Sequence, residues 1–234
     1  MKNRKSLAIA AFAAFGLSSP VLAQDAEEQG PAWEVDAELV AATDYRYRGI
    51  SLSGKNPALS GDLSIAHESG LYAGVWSSNV DLGTGNQELE IDFYGGFATD
   101  VGGLTLDVGA LYYYYPGNTG FDYVELTSSL GTAVGPANVS VGVAYAPSQG
   151  ALGDTDNTYV FVSGEMPLGE GPFSIHGTVG FEDGAFGDNK KDWTVGFSMD
   201  VVGNLTATLD YVDSARSFSS AGDPTAVLAL ALAF

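Results

Sequence analysis

Asp44, Arg46 and Arg48 stand at alternate positions in one short stretch. On an extended strand that spacing puts the three side chains on one face, because successive Cβ atoms point to opposite sides. Arginines opposite acids on such a face could set a transverse field across a narrow opening, or form a buried ion-pair network that only stiffens a wall. Acids recur with the same period of two, from Glu34, Asp36 and Glu38 through Asp62, Glu88, Glu90, Asp92, Asp107 and Glu125 to Asp192, Asp200 and Asp210. Tyr113 and Tyr115 share a face and could stack against a flat ring or simply pack. His67-Glu68-Ser69 with Asn79 has the residue types of a nucleophilic triad, whereas His176 has no evident triad partner. Asp154-Thr155-Asp156-Asn157 could touch Ca²⁺ but lacks the glycine and distal glutamate of an EF-hand loop. No glycine pattern cradles phosphate. Neither a cofactor nor a metal is expected.

The 234 residues carry 9 Lys+Arg against 29 Asp+Glu, a formal charge of −20, with 31 Gly and no Cys. Such a balance excludes nucleic acid as a partner, since phosphate binding needs a cationic face. The absence of Cys excludes disulfides, thiolate chemistry, iron–sulfur clusters and cysteine-based zinc sites. Lys2, Arg4 and Lys5, the apolar run Leu7 to Leu17 and the small-residue site Val21-Leu22-Ala23 read as a secretory signal peptide over residues 1–23, cleaved after Ala23. The leader contains cations and no acid, so the exported chain is more acidic still. Residues 24–31 are expected to form a flexible acidic segment, and residues 32–234 one folded domain.

Within that domain apolar and polar residues alternate with the period of strands that have one greasy face. From Trp33 to Tyr47 the odd positions read Trp, Val, Ala, Leu, Ala, Thr, Tyr, Tyr, while the even ones include Glu34, Asp36, Glu38, Asp44, Arg46 and Arg48. Nine further segments read the same way, their apolar faces beginning at Leu59, Leu89, Leu104, Val124, Val139, Phe173, Trp193, Leu205 and Ala226. Two more, Leu71–Val80 and Thr158–Glu165, look like strands of ambiguous facing. The sum is an all-β chain of about twelve strands of roughly ten residues each. In the ten clear segments the apolar face has no Asp, Glu, Lys or Arg.

A soluble sandwich or lipocalin-like barrel turns such a face inward, and a membrane barrel turns it to lipid. Aromatics favour the membrane. Trp33, Tyr72, Phe97, Phe173 and Phe234 mark one strand end, and Tyr45, Tyr47, Tyr112, Tyr114, Tyr145 and Tyr211 the other, as expected of two interfacial girdles. Connections alternate too. Ser69-Gly70, Asp100–Gly103, Gly169–Pro172 and Val202-Gly203 are tight, with Gly131–Pro136 a longer exception; Gly49–Asn56, Asp81–Gln87, Ala146–Asn157, Asp183–Lys190 and Ser214–Asp223 are long. Leu228, Leu230, Leu232 and the terminal Phe234 share one face, resembling the sorting signal of bacterial outer-membrane barrels.

The stretch Thr43-Asp44-Tyr45-Arg46-Tyr47-Arg48-Gly49-Ile50-Ser51 resembles the opening motif of the TorF family of porins. His67 to Trp76 followed by Ser78-Asn79-Val80-Asp81, then Glu88 to Gly96, then Tyr112 to Gly117, are similar to that family's next three motifs. The resemblance is strongest from Thr43 to Glu125. It implies an outer-membrane β-barrel with channel activity; taken with the alternation and the turn lengths, the expectation is a transmembrane antiparallel up-and-down β-barrel in a Gram-negative outer membrane, both termini periplasmic, that is not an enzyme. Outer-membrane lipid and lipopolysaccharide, the barrel assembly machinery and small solutes are the partners that follow.

With its apolar face to lipid, the lumen of such a barrel is lined by acids, which enrich cations and repel anions. Asp44, Arg46, Arg48, Asp62, Glu90, Asp92, Asp107, Tyr113 and Glu125 are the expected pore-lining or constriction residues. If the first two strands paired across Gly49–Asn56, Arg46 would lie near Ser60 and Asp44 near Asp62; removing both arginines is then expected to strengthen cation preference. A non-conducting structural or adhesion barrel, and more distantly a secreted lipocalin-like binder, are the alternatives. Outer-membrane phospholipases carry a similar His-x-Ser pair and later Asn. Here the turn at Ser69-Gly70 sets Asn79 opposite roughly residue 60, about 23 Å from His67 at ~3.3 Å per residue, so no triad is expected.

Overall fold

The computed structural model describes residues 32–84, 88–217 and 219–234. The leader, the segment 24–31 and the cleavage site expected from sequence lie outside these residues. Twelve long strands close a single antiparallel barrel: β1 (Trp33–Ala42), β4 (Ala58–His67), β5 (Leu71–Val80), β6 (Glu88–Val101), β7 (Leu104–Tyr114), β8 (Tyr123–Val134), β9 (Ala137–Gln149), β10 (Thr155–Pro167), β11 (Phe173–Gly184), β12 (Gly187–Val202), β13 (Leu205–Ala215) and β14 (Thr225–Ala233). Two short strands, β2 (Arg46–Tyr47) and β3 (Ile50–Ser51), make a separate hairpin. Each barrel strand pairs with its sequence neighbour, and β14 closes on β1 with Leu39 opposite Leu232. Phe234 donates its backbone N–H to the Ala37 carbonyl at 2.9 Å, tying the last residue to the first strand. Closure joins the two edge strands of the sheet, and without it each unpaired group facing hydrocarbon would cost several kcal/mol.

The alternation decides which side faces out. Val35, Leu63, Phe93, Leu126, Val179, Phe197, Leu209 and Leu228 are exposed, while Glu90, Asp92, Glu125, Glu182 and Asp192 on the opposite face are buried. An apolar band of this extent costs roughly 1.5–3 kcal/mol per large side chain in water and nothing in hydrocarbon. It ends in a tyrosine girdle. Tyr112, Tyr145 and Tyr211 point outward, and each donates its hydroxyl to an acid, Asp122, Asp156 and Asp213, at 3.3, 3.2 and 3.0 Å. Leu209→Arg, in the middle of this band, is expected to lower stability by about 2–4 kcal/mol in urea unfolding from lipid vesicles; the inward neighbour change Thr208→Ser should leave it unaltered.

Several sequence expectations change. β1 ends at Ala42, and the chain then leaves the wall and folds into the lumen. Tyr45 is 1% exposed, so it and Tyr47 are interior residues and not members of the outer girdle. Tyr72 likewise points inward, where its hydroxyl donates to Asp107 at 2.9 Å. Because the inserted segment takes up the chain after Ala42, Val40 pairs with Ser60 and Glu38 with Asp62, so Arg46 and Asp44 lie on no barrel strand. Gly135 and Pro136 alone join β8 to β9, so that turn is as tight as its peers. The Asp183–Lys190 loop is absorbed by β11 and β12, leaving Ala185 and Phe186 as the turn.

The two ambiguous segments are β5 and β10. Both are barrel strands whose inward residues include Trp76, Val80, Tyr159 and Phe161. Their inner faces mix large rings with polar residues such as Ser78 and Asn157, and where β5 meets the inserted segment the ring of Trp76 packs on that of Tyr45 at 5.2 Å between centroids.

Candidate functional site

The lumen divides into a packed half at the long-loop end and an acidic half at the short-turn end. The packed half is built on the β2–β3 hairpin. Its tip, Arg48-Gly49, has φ of 48° and 83°, the left-handed pair that a two-residue hairpin turn requires. Glycine has no alternative at the second tip position, since a Cβ on Gly49 would lie 2.8 Å from the Cβ of Asp192. Arg48 adopts the left-handed conformation at a cost, a condition that non-glycine residues keep where the surroundings hold them.

Asp44 and Arg46 hold this hairpin and face each other. The Asp44 carboxylate accepts from Arg46 Nε at 2.7 Å, Ser51 Oγ at 2.6 Å and Ser53 Oγ at 3.0 Å. Arg46 Nη1 donates to the carbonyls of Gly49, Ala221 and Asp223 at 2.9–3.1 Å, docking the hairpin against the β13–β14 loop. Tyr45 sits beneath. Burial first, then Glu90 and Asp92, push its hydroxyl well above the usual phenol range, so it remains a donor.

Arg48 reaches across the lumen. Its Nη2 donates to Glu125 of β8 at 2.6 Å and its Nη1 to Glu182 of β11 at 2.9 Å. The guanidinium lies 4.5 Å from the ring centroid of Tyr47 and 4.4 Å from that of Tyr159 on β10. Lys190 Nζ stands 2.7 Å from Glu182 and 3.5 Å from Asp192. Tyr113 donates to Glu125 at 3.1 Å and stacks on Tyr123 with centroids 4.2 Å apart. Tyr115 and Tyr45 lie beside Glu90. Among the described residues, Glu125 Oε1, Glu90 Oε2 and Asp92 Oδ1 are buried oxygens without a hydrogen-bond partner.

The other half is different. Tyr94 donates to both Asp62 oxygens at 2.9 and 3.0 Å. His176 Nε2 lies 2.7 Å from Asp210 Oδ1, across Gly196, which leaves the space that this pair occupies. Asp36, Glu38, Asp62 and Asp107 turn inward here without a Lys or Arg partner among the described residues. Arg46, Arg48, Lys55, Lys190, Lys191 and Arg216 all belong to the long-loop end.

Of the residues singled out from sequence, Arg48, Tyr113 and Glu125 come together, with Glu90 and Asp92 on the same stretch of wall, whereas Asp62 and Asp107 lie in the acidic half. Tyr47, Tyr159, Glu182 and Lys190 complete the packed half and were not among them. Glu182 follows the outward Phe181 and was legible from the period of two; Lys190 was hidden because its segment reads as loop. Leu228, Leu230, Leu232 and Phe234 line the outer face as expected. His67 Nδ1 does contact Ser69 Oγ at 2.8 Å, but Asn79 sits at the far end of β5, accepting from the Leu59 N–H at 2.8 Å. No triad assembles. Among the described residues no group of acids and histidines has the geometry of a metal site.

The barrel is similar to that of the solved KdgM porin, with a TM-score of 0.58 at 7% sequence identity over 85% of this chain and 98% of that one. The COG4313 outer membrane channel from Pseudomonas putida F1 gives 0.55 at 9% identity over 88% and 97%. At these identities the likeness is one of fold. No curated protein matches the sequence. A family model does match, over residues 25–229, and the chain belongs to that family, described as bacterial protein of unknown function (Gcw_chp).

Proposed function

We propose that this protein is an outer-membrane channel for passive diffusion of small solutes, preferring cations and narrowed at its outer end by the inserted hairpin. The observation that supports this reading best is the segregation of charge along the lumen. Inward carboxylates at the short-turn end have tyrosines and one histidine for neighbours, while every Lys and Arg of the described residues lies at the other end. Uncompensated carboxylates in a low-dielectric tube raise the local cation concentration and oppose anions. The resemblance of Thr43–Ser51 to the TorF porins, and a barrel fold shared with porins, agree with it. A signal peptide cleaved after Ala23 and the Leu228–Phe234 strand would carry the chain to the outer membrane and its assembly machinery.

The experiment is single-channel recording of the refolded protein in planar bilayers under a tenfold KCl gradient. A tenfold ratio is about 1.4 kcal/mol, and 100 mV is about 2.3 kcal/mol per charge, so ideal cation selectivity reads about 60 mV. A reversal potential near zero or of anion sign would overturn the cation preference. One feature favours a second reading, a non-conducting barrel: Tyr45, Trp76, Val80, Leu111, Tyr113 and Tyr123 pack as one buried cluster in the outer half. No conductance over repeated insertions would decide for it.

A further inference from the structure

The side chain of Arg48 occupies a site that the barrel wall builds without it. Glu125 stands on β8, Tyr159 on β10 and Glu182 on β11, three strands of the wall, and each is positioned by groups other than Arg48. Tyr113 Oη donates to Glu125. Asn157 Nδ2 donates to Glu182 Oε1 at 3.0 Å, and Lys190 holds its other oxygen. Tyr159 Oη donates to Asp192 at 2.9 Å, which fixes the ring that covers the guanidinium. What results is a slot with an aromatic face and one carboxylate for each of two forked N–H groups. That is the geometry of guanidinium recognition, in which the planar fork pairs with carboxylates while its faces stack on rings. An ammonium is a point charge and uses neither the plane nor the fork.

A second observation points to a ligand. Glu125 is 1% exposed, yet its Oε1 has no hydrogen-bond partner among the described residues, although Oε2 takes Arg48. On the nearby β6, Glu90 Oε2 and Asp92 Oδ1 are also buried and unpartnered. Buried acceptors without donors are expensive and rarely left so. The wall therefore offers more acceptors than the one tethered arginine satisfies.

We propose that the Tyr159–Glu125–Glu182 slot is a binding site for small organic cations that carry a guanidinium group, and that Arg48 is its built-in occupant. The site rests on the channel reading for its physiological sense, since a solute must enter the lumen to reach it. The Arg48 side chain then competes with an incoming guanidinium. A short tether gives an effective concentration in the millimolar range, so the native protein resists millimolar free ligand and a variant lacking the side chain does not.

The test uses Arg48→Ala refolded in lipid, with methylguanidinium as probe and methylammonium and urea as controls, the first charged without a fork and the second planar without charge. At about 0.1 mM, below the tether's millimolar effective concentration, methylguanidinium is expected to raise the unfolding temperature of Arg48→Ala by several degrees and to block at least half of its current. The controls and the native protein should show neither effect. Glu125→Gln added to Arg48→Ala should abolish both. Should Arg48→Ala refold poorly, its yield with and without methylguanidinium gives the same information: recovery supports the site, and no recovery overturns it. Stabilisation by methylguanidinium in a barrel that never conducts leaves the site standing and removes the channel reading. A conducting Arg48→Ala barrel that methylguanidinium neither stabilises nor blocks removes the site and leaves the channel. Equal effects from methylammonium overturn the guanidinium assignment.

Discussion

Glu182→Ala is expected to lower the stability of the folded barrel by about 3–5 kcal/mol, because breaking one side of a buried ion-pair network leaves charges that nothing else neutralises. Glu182 serves three donors at once, Arg48 at 2.9 Å, Lys190 at 2.7 Å and Asn157 at 3.0 Å. Its loss leaves Arg48 with Glu125 alone, and leaves Lys190 with Asp192 at 3.5 Å as its only carboxylate among the described residues. Both cations are nearly inaccessible to water, so solvent does not replace the lost partner. Replacing Glu182 and Lys190 together, by Gln and Met, removes opposite charges in step and should recover much of the deficit. Urea unfolding from lipid vesicles measures both. A Glu182→Ala barrel within about 1 kcal/mol of the native one would mean that the hairpin is held by its aromatic contacts and not by charge.

The second large effect concerns selectivity. Changing Asp36, Asp62 and Asp107 together to Asn is expected to bring the reversal potential, measured as above, most of the way to zero, a shift of tens of mV out of the ideal value of about 60 mV. These three side chains face the lumen at the end without Lys or Arg, and Asn keeps their volume. Tyr94 and Tyr72 donate to Asp62 and Asp107 and can donate equally to an amide oxygen, so the wall is preserved while its charge is removed. The paired acids supply the contrast. Replacing Glu182 and Lys190 together, by Gln and Met, removes opposite charges in step, so it should leave the reversal potential near that of the native barrel. A triple variant with unaltered selectivity would place the selecting charges elsewhere.

The fold was legible because a lipid-facing wall imposes a rule on every strand. Leu89, Phe93 and Phe97 alternate with Glu90 and Asp92 because one side meets hydrocarbon and the other does not, and that condition is written residue by residue. It was least legible where large rings also face inward, as at Trp76 and Tyr159, since apolar residues on both faces blur the period. Turn positions were clear at the short-turn end except at Gly131–Pro136, where β8 runs on to Val134, and blurred at the other, where β11 and β12 run on to Gly184 and Gly187.

Alternation along the chain pointed to a barrel, its approximate strand number, the shared face of Leu228, Leu230, Leu232 and Phe234 and the inward direction of most acids. All of these follow from local alternation, which needs no knowledge of what lies across the barrel. Only the tertiary structure decided that the chain after Ala42 turns inside, that Tyr45 and Tyr47 belong to a packed interior, and that Arg48 meets Glu125 and Glu182. The physical reason is that Asp44, Arg46 and Arg48 alternate equally well on a wall or in a hairpin. Which of the two they adopt depends on burial against strands far away in sequence, where two carboxylates and the rings beside them hold the Arg48 guanidinium.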